Sequence, residues 1–181
     1  MSRYAAFLRA INLGRNRRVS SAELRSEFEG LGFRDVDTFR TSGNVVFEAD
    51  REPIAKMGEQ IEAGLAESLG YEVGIFLRTA GEIRALAEHE PFPRPLVEAS
   101  KGKLQVMLLS AKTPARTQKD VLAFATADDR LAFADRELLW LPSAGTQESE
   151  LDQRSILKLL GSTTMRTKGT IDQLAAKYFG G

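Results

Sequence analysis

The order of strand-like and helix-like patterns in the first half of the chain is the feature that most restricts its fold. Strand patterns occupy residues 4–13 and 71–79 and enclose two further strands within 36–50, while apolar residues at helical spacing mark 20–32 and 51–70. The resulting βαββαβ order is that of a ferredoxin-like split unit. Because apolar residues fall on both parities of the first strand, we expect that strand to be buried on two faces.

Short polar motifs mark the helix starts and the turns. A capping box, in which two side chains satisfy the first backbone N–H groups of a helix, needs Ser or Thr followed three residues later by Glu or Gln. Thr-Ser-Gly-Asn at 41–44 predicts a tight turn, because Gly and Asn tolerate a positive φ. Three capping boxes are predicted: Ser20 with Glu23, Thr79 with Glu82, and Thr170 with Gln173.

The second half shows a similar but shorter order. A buried strand is predicted at 104–110, a helix after Pro114, a hairpin with its turn near Asp135, a helix within 148–161 and a closing helix that begins at Thr170. The predicted fold class is therefore α+β: a ferredoxin-like βαββαβ half and a second, similar βαββα-type half with an extra C-terminal helix. A diverged duplication fits this pattern, although the order of the elements by itself does not establish a repeat of individual residues.

A proline-rich stretch separates the two halves. Residues 90–103 hold three of the six prolines and show no periodicity, which is typical of a connector. We therefore predict a first unit over 1–89, a connector over 90–103 and a second α+β unit over 104–181 that ends in helices.

Composition excludes several classes of protein. The 25 basic and 25 acidic residues leave no net charge, so binding of a polyanion requires a local patch. No cysteine is present, which excludes disulfides, thiol catalysis and the usual zinc ligand sets, and we expect neither a metal nor another cofactor. The N-terminal apolar run is too short for a signal peptide, and no run reaches the roughly 18–20 residues that span a bilayer. We expect a cytoplasmic protein that does not bind membranes; its oligomeric state is open.

The sequence contains no recognisable catalytic motif, so enzymatic activity is open. The single histidine, His89, lies between acidic residues at a predicted helix end, which favours a surface position. The G-x-S-x-G elbow, the phosphate-binding G-x-x-x-x-G-K-[ST] loop and the dinucleotide fingerprint are all absent. Glu148, Glu150 and Asp152 alternate and diverge around a helix start, so they do not form a metal site.

Two basic segments precede predicted helix starts. Arg15, Arg17 and Arg18 lie before the first helix, and Arg166 and Lys168 lie before the last one. The unpaired N–H groups and the dipole of a helix attract anions to its N-terminus. The alternative is that these side chains are solvated and paired with nearby carboxylates. We take anion binding as the hypothesis for both segments.

Three motifs resemble those of a bacterial family known as domain of unknown function 1697. They are LRAINLG at 8–14, SGNVVF at 42–47 and TTMRTKGT at 163–170, so the resemblance covers essentially the whole chain. The family's usual patterns are L-R-G-I-N-x-G-G, S-G-N-V-V-F and T-x-R-N-W-x-T. The resemblance implies a shared fold and no established activity. The chain departs from the family pattern at Ala10, Arg15, Thr167 and Lys168.

These observations leave three functional hypotheses. In the first, a small phosphate-bearing ligand or a nucleic acid binds to basic loops at helix N-termini, through Arg9, Asn12, Arg15, Arg17 and Arg18, with Arg166, Lys168 and Thr170 as a second set. In the second, the chain is an enzyme that modifies a small molecule in a polar pocket, lined by Arg9, Asn12, Ser42 and Asn44. In the third, it is a structural or interaction module, which would expose an apolar patch.

Overall fold

A computed structural model describes residues 1–9, 19–40 and 43–180 of the chain. Within these residues the fold is α+β, as the sequence predicts, and it contains two four-stranded antiparallel sheets. None of the helices in the described ranges is both long and apolar enough to cross a membrane.

Contacts divide the chain into two compact units. The first comprises Met1–Arg84 together with Ala176–Gly181, and the second comprises Ala85–Ala175. The predicted connector, 90–103, therefore lies inside the second unit. The last residues of the chain, which include the end of the final helix, belong to the first unit and not to the second.

The first unit has the predicted βαββαβ order. Its sheet is arranged β2-β3-β1-β4, and each pair of neighbours is antiparallel. A further helix, α3, follows β4 without an intervening loop. The elements are β1 (Ser2–Arg9), α1 (Ser21–Gly30), β2 (Arg34–Thr38), β3 (Asn44–Ala49), α2 (Ile54–Leu69), β4 (Gly74–Thr79) and α3 (Ala80–Glu88).

Two of the predicted capping boxes are confirmed. Ser20 Oγ accepts the N–H of Glu23 over 3.1 Å, and the Glu23 carboxylate accepts the N–H of Ser20 over 2.7 Å. The same pair of bonds joins Thr79 and Glu82 at the start of α3, over 3.2 and 2.8 Å. Each box satisfies two backbone donors that a helix start would otherwise leave unpaired.

Strand β1 is buried on both faces, as its pattern predicts. Tyr4, Ala6 and Leu8 belong to a core that also contains Phe28 of α1 and residues of α2. Phe7, on the opposite face, is likewise fully buried. A sheet covered on both sides cannot serve as an open platform on which nucleic-acid bases stack.

The second unit repeats this sheet arrangement, in the order β6-β7-β5-β8. The fourth strand, β8, corrects the sequence-based order, which ends the second half in helices without such a strand. The elements are α4 (Arg94–Ala99), β5 (Gln105–Leu109), α5 (Ala115–Leu122), β6 (Asp129–Phe133), β7 (Glu137–Pro142), α6 (Gln153–Leu160), β8 (Thr163–Thr167) and α7 (Lys168–Tyr178).

Strand β8 depends on its partner for its conformation. It pairs with the fully buried strand β5 along its whole length, from Thr163 opposite Leu109 to Thr167 opposite Gln105. Its own sequence, T-T-M-R-T, contains a single apolar residue and no alternation that would separate it from a loop. The pairing extends the chain up to Thr167 and so moves the start of the last helix to an earlier residue.

The cap of α7 is Thr167, which corrects the predicted box of Thr170 with Gln173. Helix α7 begins at Lys168, and the N–H of Thr170 donates to Thr167 Oγ1 over 3.2 Å. Thr170 therefore lies inside the first turn of the helix. The two basic residues before it are in β8 and α7 and do not form a loop.

Comparison of the two sheets reveals a repeat that the sequence analysis does not detect. Arg-Thr-x-Gly-x-Ile occurs at 78–83 and again at 166–171. In both copies the Thr ends the fourth strand and caps the following helix, and the Ile is fully buried. In both copies the Arg donates to the carbonyl of the preceding residue, Leu77 over 2.9 Å and Met165 over 2.8 Å. Together with the shared sheet order, this equivalence indicates a diverged internal duplication.

Residues 90–103 are held within the second unit by local structure. They contain the short helix α4, which the sequence analysis does not predict. The N–H of Lys101 donates to the carbonyl of Ser143 over 2.9 Å, and the Ser100 hydroxyl contacts the carbonyls of Gly102 and Pro142. These bonds fix the stretch against the end of β7.

Candidate functional site

The pairing of β1 with β3 brings the first two family motifs together. Phe7 lies opposite Asn44, and the N–H of Leu8 donates to the carbonyl of Gly43 over 2.8 Å. Arg9, which is exposed at the end of β1, therefore lies at the same end of the sheet as the turn between β2 and β3. The two motifs are about thirty residues apart in sequence and adjacent in the fold.

The turn between β2 and β3 contains two residues with a left-handed backbone. Gly43 has a φ of 69°, as its role in a tight turn predicts, and Arg40 has a φ of 59°. A left-handed conformation costs a residue with a side chain about 1 kcal/mol or more. Something in the fold must compensate for this cost at Arg40.

Asn44 stabilises the turn from inside. It is 3% exposed, and its Nδ2 donates to the carbonyl of Phe39 over 3.0 Å. The N–H of Phe39 in turn donates to the carbonyl of Asn44 over 2.9 Å. Asn44, predicted to line a pocket, is therefore a buried residue that stabilises the hairpin.

Phe39 has cationic groups next to its ring. The guanidinium carbon of Arg40 lies 5.6 Å from the ring centroid, and the ammonium of Lys177, on α7, lies 5.9 Å from it. The Tyr178 ring meets Phe39 edge-on, with 6.1 Å between centroids, and Lys177 Nζ lies 4.8 Å from the Tyr178 ring. Attraction between a cation and a ring face contributes about 0.5–1 kcal/mol at exposed sites, which offsets part of the strain at Arg40.

A single carboxylate, Asp37 on edge strand β2, organises the neighbouring side chains. It accepts the Tyr178 hydroxyl over 2.5 Å and the Arg25 guanidinium over 3.0 Å, while Lys177 Nζ lies 3.8 Å away. The Tyr178 hydroxyl is the largest cause that holds the pKa of Asp37 below its usual value, and the two cations lower this pKa further. Asp37 is thus an anion at neutral pH.

Four exposed cations lie along β2 and its turn or at the same end of the first sheet. We use "cationic edge" for the surface formed by Arg25, Arg40 and Lys177 along β2 and its turn, together with Arg9 at the end of β1. All four residues are exposed. Of these four residues, the sequence predicts only Arg9 as a site residue, because Arg25, Arg40 and Lys177 belong to no motif. Lys177 lies about 140 residues from Asp37 in sequence, so only the position of α7 in the fold reveals their contact.

Several predicted site residues lie outside the described ranges. These are Asn12, Arg15, Arg17, Arg18 and Ser42. The segment that contains the first four connects Arg9 to Ser20, the cap of α1.

The second predicted set lies in the second unit and has structural contacts. The ammonium of Lys168, which is 8% exposed, donates to the carbonyl of Ala87 over 2.8 Å and to Asp172 Oδ1 over 2.6 Å. Arg166 donates to Thr164 Oγ1 and to the carbonyl of Met165, each over 2.8 Å. Burial lowers the pKa of the Arg166 guanidinium to about 10, which still leaves it protonated at neutral pH.

The N-termini of α1 and α7 already have side-chain partners. In α1 the ionised Glu23 closes the capping box, and hydrogen bonds with Ser20 lower its pKa. In α7 the Thr167 hydroxyl accepts the N–H of Thr170. An anion at either end would have to compete with these caps. The geometry therefore favours arginine and lysine side chains over helix N–H groups as ligands for an anion.

Within the described ranges, no group of three or more His, Asp or Glu side chains is arranged to hold a metal ion.

The fold and this surface define a class: a duplicated α+β protein whose ferredoxin-like first unit presents a cationic edge. The chain belongs to the family described as "Protein of unknown function (DUF1697)", whose model matches residues 1–139.

The chain is also similar to a solved structure, that of the conserved bacterial protein SP0830 from Streptococcus pneumoniae. The two are 22% identical with a TM-score of 0.71, and the match covers 98% of this chain and 99% of the other. This likeness shows the fold. None of the curated proteins compared with the chain matches it.

Proposed function

We propose that this protein binds a phosphate-bearing ligand at the cationic edge. The observation that carries the proposal is that Arg25 and Lys177 contact Asp37 while Arg40 and Lys177 lie against the Phe39 ring. Arg9 lies at the same end of the sheet as the turn that carries Arg40. Asp37 and the rings hold these side chains at the surface, which reduces the entropy lost when they bind an anion.

The chemistry of these side chains fits phosphate. A guanidinium presents a rigid fork of N–H donors that pairs with two phosphate oxygens, and charge-assisted bonds of this kind are about twice as strong as neutral ones. Because the whole chain has no net charge, attraction of a polyanion depends on a local group of cations such as this one. Arg15, Arg17 and Arg18 follow Arg9 in sequence and would add to it.

The left-handed Arg40 supports the same proposal. Glycine would adopt this φ without strain, yet the position carries an arginine whose charge lies at the surface. Residues with an unfavourable backbone conformation occur at binding sites more often than elsewhere.

The test compares charge reversals at opposite ends of one sheet. Arg9→Glu with Arg40→Glu alters the cationic edge. Arg51→Glu is the control, because exposed Arg51 contacts Ser2 at the far end of β1, with Nε 3.1 Å from the Ser2 hydroxyl. Titration calorimetry with inorganic pyrophosphate and with a short oligothymidylate measures binding to each variant. We expect the double variant to lose about tenfold or more in affinity, and Arg51→Glu to bind as the wild type does.

The salt dependence of the affinity then distinguishes a nucleic acid from a small phosphate compound as the ligand. A single-stranded nucleic acid releases counterions, so the logarithm of its affinity falls with the logarithm of salt concentration by about 0.7 per neutralised phosphate. A small phosphate compound that contacts one or two side chains shows a shallower dependence. Equal binding by the wild type, the double variant and the control contradicts the proposal.

The composition and the family resemblance also support a location in the bacterial cytoplasm. The enzyme hypothesis loses one of its pocket residues, since Asn44 is buried in the hairpin.

A further inference from the structure

Phe39 is the one phenylalanine in the described part of the first unit that is not buried. Its side chain is partly exposed, whereas every other phenylalanine described in this unit is buried, Phe28 and Phe47 of the core among them. Phe39 directly follows β2, so it belongs to the hairpin turn and not to the strands of the covered sheet. Its ring therefore lies at the surface, beside the cationic edge.

The backbone of Phe39 is held from inside the hairpin. Its N–H donates to the carbonyl of Asn44 over 2.9 Å, and its carbonyl accepts Nδ2 of Asn44 over 3.0 Å. Asn44 is itself 3% exposed. A ring whose backbone is fixed in this way loses little conformational entropy when a ligand packs against it. The fold thus holds one aromatic ring ready at the surface.

Two cations lie beside this ring without covering its centre. Arg40 Cζ lies 5.6 Å from the ring centroid, and Lys177 Nζ lies 5.9 Å from it. Flat groups in face-to-face contact are about 3.5–4 Å apart, so neither cation is stacked flat over the ring centre. Both side chains are long and have several rotatable bonds, which lets them turn from the ring towards an anion. A planar group on the ring would therefore have cations next to it.

A surface ring with neighbouring cations is typical of sites for single-stranded nucleic acids. In such sites the bases stack on aromatic side chains while a positively charged surface contacts the phosphates. Only one sugar separates the phosphate of a nucleotide from its base, so a base on Phe39 brings its phosphate close to Arg40 and Lys177. An inorganic anion, in contrast, would use the cations and leave the ring without a role.

We propose that the ligand of the cationic edge contains a nucleotide unit, whose base stacks on the Phe39 ring and whose phosphate pairs with Arg40 or Lys177. This inference rests on the proposed function and names the class of its phosphate-bearing ligand. The chemistry that the site recognises is a nucleobase next to a phosphate, which both a free nucleotide and a single strand supply. Because every base has a π-face, the stacking itself tolerates any base.

The test separates the contribution of the base from that of the phosphates. Titration calorimetry measures the affinity of the wild type for a short oligothymidylate and for an abasic strand of the same length, which carries the same charges and no bases. We expect the oligothymidylate to bind about tenfold or more tightly. Since the charges of the two strands are equal, the ratio of their affinities reports the contribution of the bases.

Three variants test whether that ratio depends on the ring. Phe39→Leu keeps an apolar side chain without a ring, so it should remove the preference and bind the two strands alike. Phe39→Tyr keeps the ring and should keep the preference. Phe92→Leu makes the same substitution at a partly exposed phenylalanine of the second unit, and its preference should equal that of the wild type. Thermal melting checks that each variant is folded.

A fluorescence measurement replaces this comparison if Phe39→Leu does not fold. Phe39→Trp places an indole at the same position, and a base stacked on the indole quenches its fluorescence. Trp140, the only natural tryptophan, is fully buried in the second unit and supplies a constant background. Oligothymidylate should quench the fluorescence of Phe39→Trp at saturation, and the abasic strand should leave it unchanged.

Thymidine 5′-diphosphate distinguishes the two sources of the nucleotide unit. If it binds as tightly as the oligothymidylate, the ligand is a free nucleotide; if it binds more weakly, the ligand is a strand. Either result supports the stacked base when Phe39→Leu removes the preference described above.

Two results would overturn the stacked base. They are equal affinity of the wild type for the oligothymidylate and the abasic strand, and a preference that survives in Phe39→Leu. In both cases, pyrophosphate binding that depends on Arg9 and Arg40 leaves the proposed function standing. Absence of binding by pyrophosphate and by both strands overturns the proposed function, and this inference with it.

Discussion

The hydroxyl of Tyr178 donates a 2.5 Å hydrogen bond to Asp37 Oδ2, which joins the end of α7 to the edge strand of the first sheet. The two residues are 141 positions apart. The bond keeps the last turn of α7 on β2, where Lys177 reaches both Asp37 and Phe39. The cationic edge therefore depends on a contact between β2 and the C-terminal end of the chain.

Tyr178→Phe tests this contact. A hydrogen bond to a charged group contributes up to about 1.5–3 kcal/mol, and partial solvent exposure of both side chains reduces this to about 1 kcal/mol. We expect the free energy of unfolding to fall by that amount at neutral pH in urea denaturation. An unchanged free energy of unfolding would contradict the role of Tyr178.

The effect of Tyr178→Phe should depend on pH at both extremes. The folded state lowers the pKa of Asp37, so this stabilisation is present above the unfolded value of about 3.9 and is lost as the pH falls through the lower folded value. Burial, followed by the bond to Asp37, raises the pKa of Tyr178, so its contribution is present below about 10 and is lost as the pH rises through the folded value. The stability difference between wild type and variant should be largest between these limits.

Gly43→Ala should destabilise the first unit. Its φ of 69° forces any residue with a side chain into a left-handed conformation, at a cost of about 1–2 kcal/mol. Gly169→Ala is the control, because Gly169 lies in α7 with open space around its Cα and ordinary backbone angles. Alanine favours a helix over glycine, so we expect the control to be neutral or more stable. Thermal melting of both variants provides the comparison, and an unchanged melting temperature for Gly43→Ala would contradict the strain argument.

Asp129→Ala should destabilise the second unit. This buried carboxylate accepts the indole N–H of Trp140 over 2.9 Å and the Ser149 hydroxyl over 2.6 Å. Its removal leaves the fully buried indole N–H without a partner, and we expect a loss of about 2–3 kcal/mol. Denaturation followed by Trp140 fluorescence measures this loss.

The neighbouring aspartate gives a matched control for this prediction. Asp128 is exposed, and its carboxylate lies 3.4 Å from the Ser143 hydroxyl. Asp128→Ala should change stability by no more than about 0.5 kcal/mol. Similar losses at both positions would mean that the bond to Trp140 contributes little.

Arg17→Glu combined with Arg18→Glu tests the basic segment before α1. Solvated arginines change stability by only about 0.5 kcal/mol when they are replaced, so the double variant should fold normally. If this segment contributes to the proposed anion site, affinity for inorganic pyrophosphate should nevertheless fall about tenfold. Calorimetry with wild type and variant, each checked by thermal melting, decides the point; equal affinity would remove these residues from the proposal.

Local chemistry explains the features that the sequence predicts. The capping boxes at Ser20 and Thr79 and the glycine turn at Gly43 depend on side chains and backbone angles within four residues of one another. The burial of β1 on both faces follows from its unbroken run of apolar residues. Such features need no information about distant parts of the chain.

The features that the sequence analysis misses depend on distant partners. Strand β8 is extended because β5, more than fifty residues earlier, offers it a row of hydrogen bonds. The cap of α7 moves from Thr170 to Thr167 as a consequence.

The candidate site likewise combines features that are local in sequence with features that depend on distant partners. Sequence by itself determined the βαββαβ order, the caps of α1 and α3 and the presence of basic residues beside the family motifs. Tertiary structure decided which cations share a surface, because Arg25 and Lys177 both contact Asp37. It also decided that Lys168 is engaged with Ala87 and Asp172. The physical reason is that a charge acts on whatever the fold brings within a few ångströms of it, and sequence spacing does not measure that distance.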